Sequence, residues 1–413
     1  MDIAQFTHDP LILAGISRLQ RQSRTYSDII DDQGLQYVDM VMEGGGMLGI
    51  ALVGYTWVLE QVGIRFLGVG GTSAGSINAL LLSALGAPAD AKSPKLLNEL
   101  VGMNFWEFVD GDSDARDFVK AWVGGAGKFK LAFKGAQVID NLTERLGLNP
   151  GQRFEQWLMS LLARENIFTL ADLFRRMHTL PPGLRQRDGT RLSTPDDAGV
   201  RLAVVAADVS TETKAVFPDH ADLYFADPLQ VNPARFVRAS MSIPYFFEPL
   251  ILRDLPQGEA AIMRWKRVGF DARKEDGGVP DSALFVDGGV MSNFPIDVFH
   301  QSAGVPAAPT FGVKLEYDNR RRQIDGPLGL LGAIFNSARH CLDYDFLHRN
   351  PDYRHLVQWI PCQGYNWLDF DMSLQNKVGL FREGAIKAIE FLEAFDWAAY
   401  KQVRARLAGV PGG

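Results

Sequence analysis

The chain has 413 residues, 46% of them apolar and 22% charged, with a net charge of −7. This is enough for one large domain or two to three ordinary ones, with a sizeable core. The acidic balance argues against nucleic acid as the main partner, though not against a local patch that meets a membrane surface. Two cysteines, Cys341 and Cys362, are too few for a disulfide framework and suit a reducing compartment. The histidines show no close metal-ligand spacing; His348 and His355 read as solvated or structural.

Residues 1–35 read as a helical, polar lead-in with several arginines. Asp2, His8 and Asp9 stand early, and no basic leader precedes an apolar stretch, so no secretory signal is expected. The longest apolar stretches, 77–87 and 328–335, are too short to span a bilayer. A cytoplasmic protein, at most peripheral to membranes, is the expectation; export without a cleaved signal stays open. Residues 36–42 then read as a strand, with Val38, Met40 and Met42 alternating against Tyr37, Asp39 and Val41. The strand runs into Glu43-Gly44-Gly45-Gly46. From Leu48 the apolar positions Ile50, Val53, Trp57 and Val58 recur at helical spacing. Residues 66–70 form the next expected strand, followed by Gly71-Thr72-Ser73-Ala74-Gly75 and an apolar run over 77–85. Strand, glycine turn and helix thus occur twice in succession, the signature of a wound α/β layer.

From about 88 to 195 helical patterns dominate. Phe154, Trp157, Leu158, Leu161 and Leu162 form one stripe; Leu170, Leu173 and Phe174 form another. Residues 181–197 read as a polar loop. This stretch is expected to be a helical insertion in the domain that spans 36–400. The α/β pattern resumes at 201–206, and a strand over 283–286 ends at Asp287-Gly288-Gly289. A further strand is expected at 310–315 and an amphipathic helix at 380–395, leaving 401–413 as a tail.

Three features carry chemistry. Gly44, Gly45 and Gly46 at the start of a helix let several backbone N–H groups face one point, as in an oxyanion hole. A phosphate-binding loop or a plain tight turn is the alternative, although the Lys-Ser/Thr ending of a P-loop is absent. Ser73 sits at a strand-to-helix elbow that should expose its hydroxyl, with Gly71 and Gly75 allowing strand and helix to approach. The helix after it turns its positive N-terminus toward the serine. Asp287 ends a strand, and Gly288 and Gly289 would leave its carboxylate uncrowded; Asp before Gly-Gly is also a common turn. Ligands in open α/β sheets gather at the carboxyl ends of strands, so the three groups can converge. No histidine has a comparable setting: only His220 and His300 stand near the right stretches, and His300 reads as structural. A Ser–Asp dyad is the economical reading, with the oxyanion donors and water exclusion compensating for a carboxylate base.

The segments Glu43-Gly44-Gly45-Gly46-Met47-Leu48-Gly49, Gly71-Thr72-Ser73-Ala74-Gly75 and Asp287-Gly288-Gly289 resemble the three motifs of the patatin-like phospholipases. Arg238-Ala239-Ser240-Met241-Ser242-Ile243-Pro244, Asn293-Phe294-Pro295 and Leu368-Asp369-Phe370-Asp371-Met372-Ser373 are similar too. The resemblance implies a three-layer α/β/α fold with a mostly parallel sheet and a dyad acting on acyl esters of lipids. Ser73 would be the nucleophile, Asp287 the base, and the backbone around Gly45 and Gly46 the oxyanion site, with no metal or organic cofactor. One departure is Leu48, where the family usually carries Arg or Lys. It lessens the expected preference for anionic headgroups. A silent lipid-binding protein on the same fold, or a thioesterase, small-ester hydrolase or peptidase, stays open beside the lipid hydrolase.

For contact with a membrane or micellar lipid, Lys128-Phe129-Lys130-Leu131-Ala132-Phe133-Lys134 interleaves cations with apolar residues. A plain amphipathic element is the alternative. Leu328 to Phe335 reads as a core helix or an apolar flap, and Arg320-Arg321-Arg322 as a solvated loop. Tyr245-Phe246-Phe247 reads either as an acyl-channel wall or as a core turn.

Overall fold

The computed structural model describes residues 3–123, 139–273, 278–301, 304–316 and 346–409, with the single positions 324, 330, 333 and 337. Its strands are β1 (Ile29–Ile30), β2 (Gln36–Met42), β3 (Ile64–Thr72), β4 (Gly147–Asn149), β5 (Arg185–Gln186) and β6 (Arg201–Asp208). The second half adds β7 (Thr213–Phe217), β8 (Tyr245–Phe247), β9 (Leu250–Arg253), β10 (Ser282–Asp287), β11 (Thr310–Glu316) and β12 (Val357–Pro361). The main sheet runs β12-β11-β2-β3-β6-β10-β9. Pairing is parallel from β12 to β6 and antiparallel at β10 and β9. This is an α/β fold with a central, mostly parallel sheet.

The helices that frame it are α1 (Pro10–Gln22), α2 (Gly49–Gln61), α3 (Ala74–Ala84), α4 (Gln152–Arg164), α5 (Ala234–Ser240), α6 (Leu374–Ala394) and α7 (Trp397–Leu407). Residues Gly49 to Glu60 of α2 are buried on every side, as in a helix interior to a domain. Glycine lets α2 meet α6: a Cβ on Gly54 or on Gly384 would lie 2.8 Å from a carbonyl carbon of the other helix. The lead-in helix α1 is capped by Asp9, whose carboxylate accepts from Leu11 and Ile12 N–H, with Pro10 at its first position. Its buried face, Ile12, Ile16 and Leu19, joins the main core.

Several expectations shift. The alternation read into β2 does not separate core from solvent, because Tyr37, Val38, Met40, Val41 and Met42 are all buried. A central parallel strand has helices on both faces, which removes the polar side. The C-terminal helix begins at Leu374, and α7 extends to Leu407, into the stretch allotted to a tail. In the stripe expected over 154–162, Phe154, Leu158, Leu161 and Leu162 of α4 are buried, and Trp157 is half-buried. The loop at 181–197 contains β5 and one helical turn at Pro195–Ala198. The Lys128–Lys134 stretch, Arg320-Arg321-Arg322 and most of 328–335 lie outside the described residues. Among the described residues, no helix is long and apolar enough to cross a membrane.

Candidate active site

Ser73 links β3 to α3 with φ 53° and ψ −123°. A non-glycine residue there stores on the order of 1–3 kcal/mol and persists only when its surroundings hold it. Ser240 supplies one restraint: its Oγ accepts the Ser73 N–H at 2.9 Å and donates to the Val205 carbonyl at 2.6 Å. The Ser73 carbonyl is held by the Ser76 hydroxyl at 2.6 Å. The flanking glycines have the expected steric reason. A Cβ on Gly71 would lie 2.9 Å from the Ser76 nitrogen, and one on Gly75 would lie 2.8 Å from the Met42 carbonyl carbon.

The serine hydroxyl is not exposed as the elbow pattern suggested. Ser73 is only 4% accessible. Its Oγ donates to the Met241 Sδ at 3.4 Å, so the residue after α5 covers it. A thioether is a weak acceptor, so this contact orients the hydroxyl without binding it tightly.

Sheet register brings Asp287 to the same end. Met42 lies opposite Gly71, Thr72 opposite Val205, and Ala206 opposite Asp287. Because β10 is antiparallel, Asp287 reaches this row by register rather than as the end of a further parallel strand. Its strand axis is two spacings from that of β3, about 10 Å. Asp287 is buried; its Oδ1 accepts the Gly289 N–H at 2.8 Å, and its N–H donates to the Ser242 carbonyl at 2.7 Å. Gly288 is needed for close approach, since a Cβ there would lie 2.9 Å from Thr72 Cγ2.

The chain beyond Asp287 then crosses the sheet end. The Thr72 hydroxyl donates to the Ser292 carbonyl at 2.9 Å, and Gly44 N–H donates to the Asn293 carbonyl at 3.0 Å. Asn293 Nδ2 returns bonds to the Gly44 carbonyl at 3.2 Å and to Glu43 Oε1 at 3.1 Å. All three motifs are thereby tied together.

The glycine loop leans on Ser73: a Cβ on Gly44 would lie 3.0 Å from Ser73 Cβ. Gly44 N–H is committed to Asn293, and Met47 N–H to the Trp367 carbonyl at 3.0 Å. The N–H groups of Gly45, Gly46 and Ala74 make no hydrogen bond among the described residues. Ala74 is not among the residues singled out from the sequence, yet its N–H opens α3 directly after Ser73. Gly46 has φ +55°, a conformation suited to glycine. Beneath the loop, buried Glu43 pairs with Lys314 at 3.0 Å and accepts the Leu315 N–H at 2.6 Å. Leu48 is fully in the core.

Arg238, Ser240, Met241, Ser242 and Asn293 had no assigned role in the sequence. Their only signal was membership in the segments that carried the family resemblance. His220 and His300 are occupied elsewhere: His220 Nδ1 accepts the Val216 N–H at 3.2 Å, and His300 Nδ1 lies 2.8 Å from the Tyr353 hydroxyl. Phe246 and Phe247 are core residues, Phe246 stacking on Phe370 at 4.8 Å, whereas Tyr245 is exposed. The buried Cys362 thiol is pushed up to about 12 by desolvation, which makes it a poor nucleophile.

A strained serine elbow thus stands beside a glycine loop at one end of the mostly parallel sheet of an α/β fold. The family model described as patatin-like phospholipase matches residues 40–300. The chain is 30% identical over 366 residues to the uncharacterized protein YqhO of Bacillus subtilis (strain 168), covering 87% of this chain and 100% of that one. It therefore belongs to the patatin-like phospholipase family. Among solved structures, VipD from Legionella pneumophila aligns with a TM-score of 0.41 at 14% identity, over 90% of this chain and 70% of that one.

Proposed function

We propose that the protein is a lipid acyl hydrolase that cleaves carboxylic esters of glycerolipids through Ser73 and Asp287. The observation that carries this reading is the shared row at the sheet end. Ser73 follows Thr72, Thr72 faces Val205, and Asp287 faces the next residue, Ala206, with Gly44 against the serine. In the proposed course, Ser73 Oγ leaves the Met241 sulfur and attacks the ester carbonyl carbon, and its proton passes to the Asp287 carboxylate. The carbonyl oxygen becomes an oxyanion at the Gly45, Gly46 and Ala74 N–H groups, supported by the N-terminus of α3. Collapse breaks the acyl–oxygen bond, and the departing alcohol takes the proton from Asp287. Water, deprotonated by Asp287, then hydrolyses the acyl-enzyme and regenerates Ser73.

A serine-reactive fluorophosphonate followed by peptide mass mapping tests the nucleophile. The expected adduct is on Ser73 and is absent from Ser73→Ala. An unlabelled wild type, or an adduct on another serine, would overturn the assignment. A panel of phospholipid, diacylglycerol and thioester substrates then separates the lipid hydrolase from the thioesterase and small-ester readings.

A further inference from the structure

Three successive residues grip both members of the dyad. Ser240 Oγ accepts the Ser73 N–H, Met241 Sδ takes the Ser73 hydroxyl, and the Ser242 carbonyl accepts the Asp287 N–H. What fixes these three is Arg238, in the last turn of α5. Its Nη1 donates to Ser242 Oγ at 2.6 Å, and its Nη2 donates to the carbonyls of Pro150 at 2.7 Å and Glu248 at 2.8 Å. The guanidinium is buried flat against Gly151, where a Cβ would lie 2.6 Å from Nε, and 5.4 Å from the centre of the Phe247 ring. Ser242 Oγ donates in turn to the Arg238 carbonyl at 2.9 Å, closing the turn.

Resting on the dyad reading above, we propose that Arg238 is a positioning residue for catalysis. It touches no reacting atom. It staples the 238–242 turn to Pro150 and Glu248, the residues that directly follow β4 and β8, and so sets the spacing of nucleophile and base. The rigid, planar fork of donors matches one acceptor in its own turn and one on each of two other segments, which a single lysine ammonium cannot reproduce. A misplacement of about 1 Å in such a pair costs about 100-fold in rate.

The test compares wild type with Arg238→Lys, Ser242→Ala and Arg404→Lys. Arg404 is similarly buried and pairs with Asp352 at 3.0 Å, but it lies on α7, donating to the carbonyls of Gln301 and Gly304 ahead of β11. The readouts are the second-order rate of fluorophosphonate labelling, and kcat and KM on a soluble short-chain ester, each normalised to folded protein by circular dichroism. Arg238→Lys and Ser242→Ala are expected to lower labelling and kcat by about 30- to 100-fold, with KM within about threefold. Arg404→Lys is expected to lose stability yet label at the wild-type rate per folded molecule. Wild-type labelling in folded Arg238→Lys or Ser242→Ala would overturn the proposal. So would an equal loss of rate in Arg404→Lys, which would make the effect one of general core stability. If Arg238→Lys does not fold, Ser242→Ala decides alone. A wild type that no phosphonate labels would overturn the dyad reading and this proposal with it, whereas a labelled wild type with unaffected variants overturns this proposal only.

Discussion

The backbone N–H of Ser73 donates to the hydroxyl of Ser240 at 2.9 Å, across 167 positions of sequence. A residue with φ 53° needs such a restraint, and Ser240 passes the load on to the Val205 carbonyl in the neighbouring strand. Ser240→Ala would leave a buried N–H without its acceptor, at about 1–3 kcal/mol. The expected outcome is a lower unfolding midpoint in denaturant and a loss of ester turnover of about 10- to 100-fold per folded molecule. Undiminished turnover would show that the elbow holds its shape without this bond.

Gly46 and Gly44 carry the next prediction. A Cβ on Gly46 would lie 3.2 Å from the Trp367 ring at a φ of +55°, and one on Gly44 would lie 2.5 Å from Asn293 Oδ1. Gly46→Ala and Gly44→Ala should each destabilise the protein by about 1–3 kcal/mol and lower kcat more than they raise KM. Thermal melts and steady-state kinetics on a soluble ester check both effects.

Glu43 and Lys314 form a buried pair directly under the glycine loop. Removing one partner leaves the other charge with less compensation, so Lys314→Met should cost about 3–5 kcal/mol in urea unfolding. Activity per folded molecule should fall too, because Glu43 Oε1 also holds the Asn293 side chain that binds the Gly44 carbonyl.

Leu48 lies in the core at the position where the family usually carries a cation, and it offers no charge to a headgroup. A charged hydrogen bond is worth about 1.5–3 kcal/mol, so its absence should keep the turnover ratio of phosphatidylglycerol to diacylglycerol below about tenfold. A strong phosphatidylglycerol preference in mixed vesicles would contradict this.

Acid should weaken the fold through two histidines. Desolvation lowers the pKa of His220, aided by Arg267 and opposed by Asp219 and Asp222. Desolvation also lowers that of His300, aided by Arg404 and opposed by Asp352 and Asp297. The unfolded chain therefore binds these protons more readily than the folded one. Their stability contribution is complete above the ordinary histidine value near pH 6.5 and is lost as the pH falls from there toward the folded values. His220→Asn, which keeps an acceptor for the Val216 N–H, should flatten the dependence of the unfolding midpoint on pH between about 7 and 5.

What was legible in the sequence was local. The Gly71–Gly75 elbow and the Gly44–Gly46 run announce themselves because a tight turn excludes side chains there, and their neighbours confirm strand and helix. Asp287 was found from its place before Gly-Gly, but its route to the site through antiparallel register was not, since strand direction is a tertiary property. The same holds for Ser240, Met241 and Asn293, whose contacts span 167 to 250 residues. The alternation read into β2 failed because burial on both faces depends on the helices that cover the sheet. The exposed hydroxyl expected at Ser73 met a methionine delivered from a distant helix end.

The most direct measurement is fatty acid release from mixed phospholipid and neutral glycerolipid vesicles by wild type, Ser73→Ala and Asp287→Asn. Release by wild type, reduced by about 10³-fold or more in both folded variants, is the predicted result. Release by wild type that survives in either variant would contradict the Ser73–Asp287 dyad.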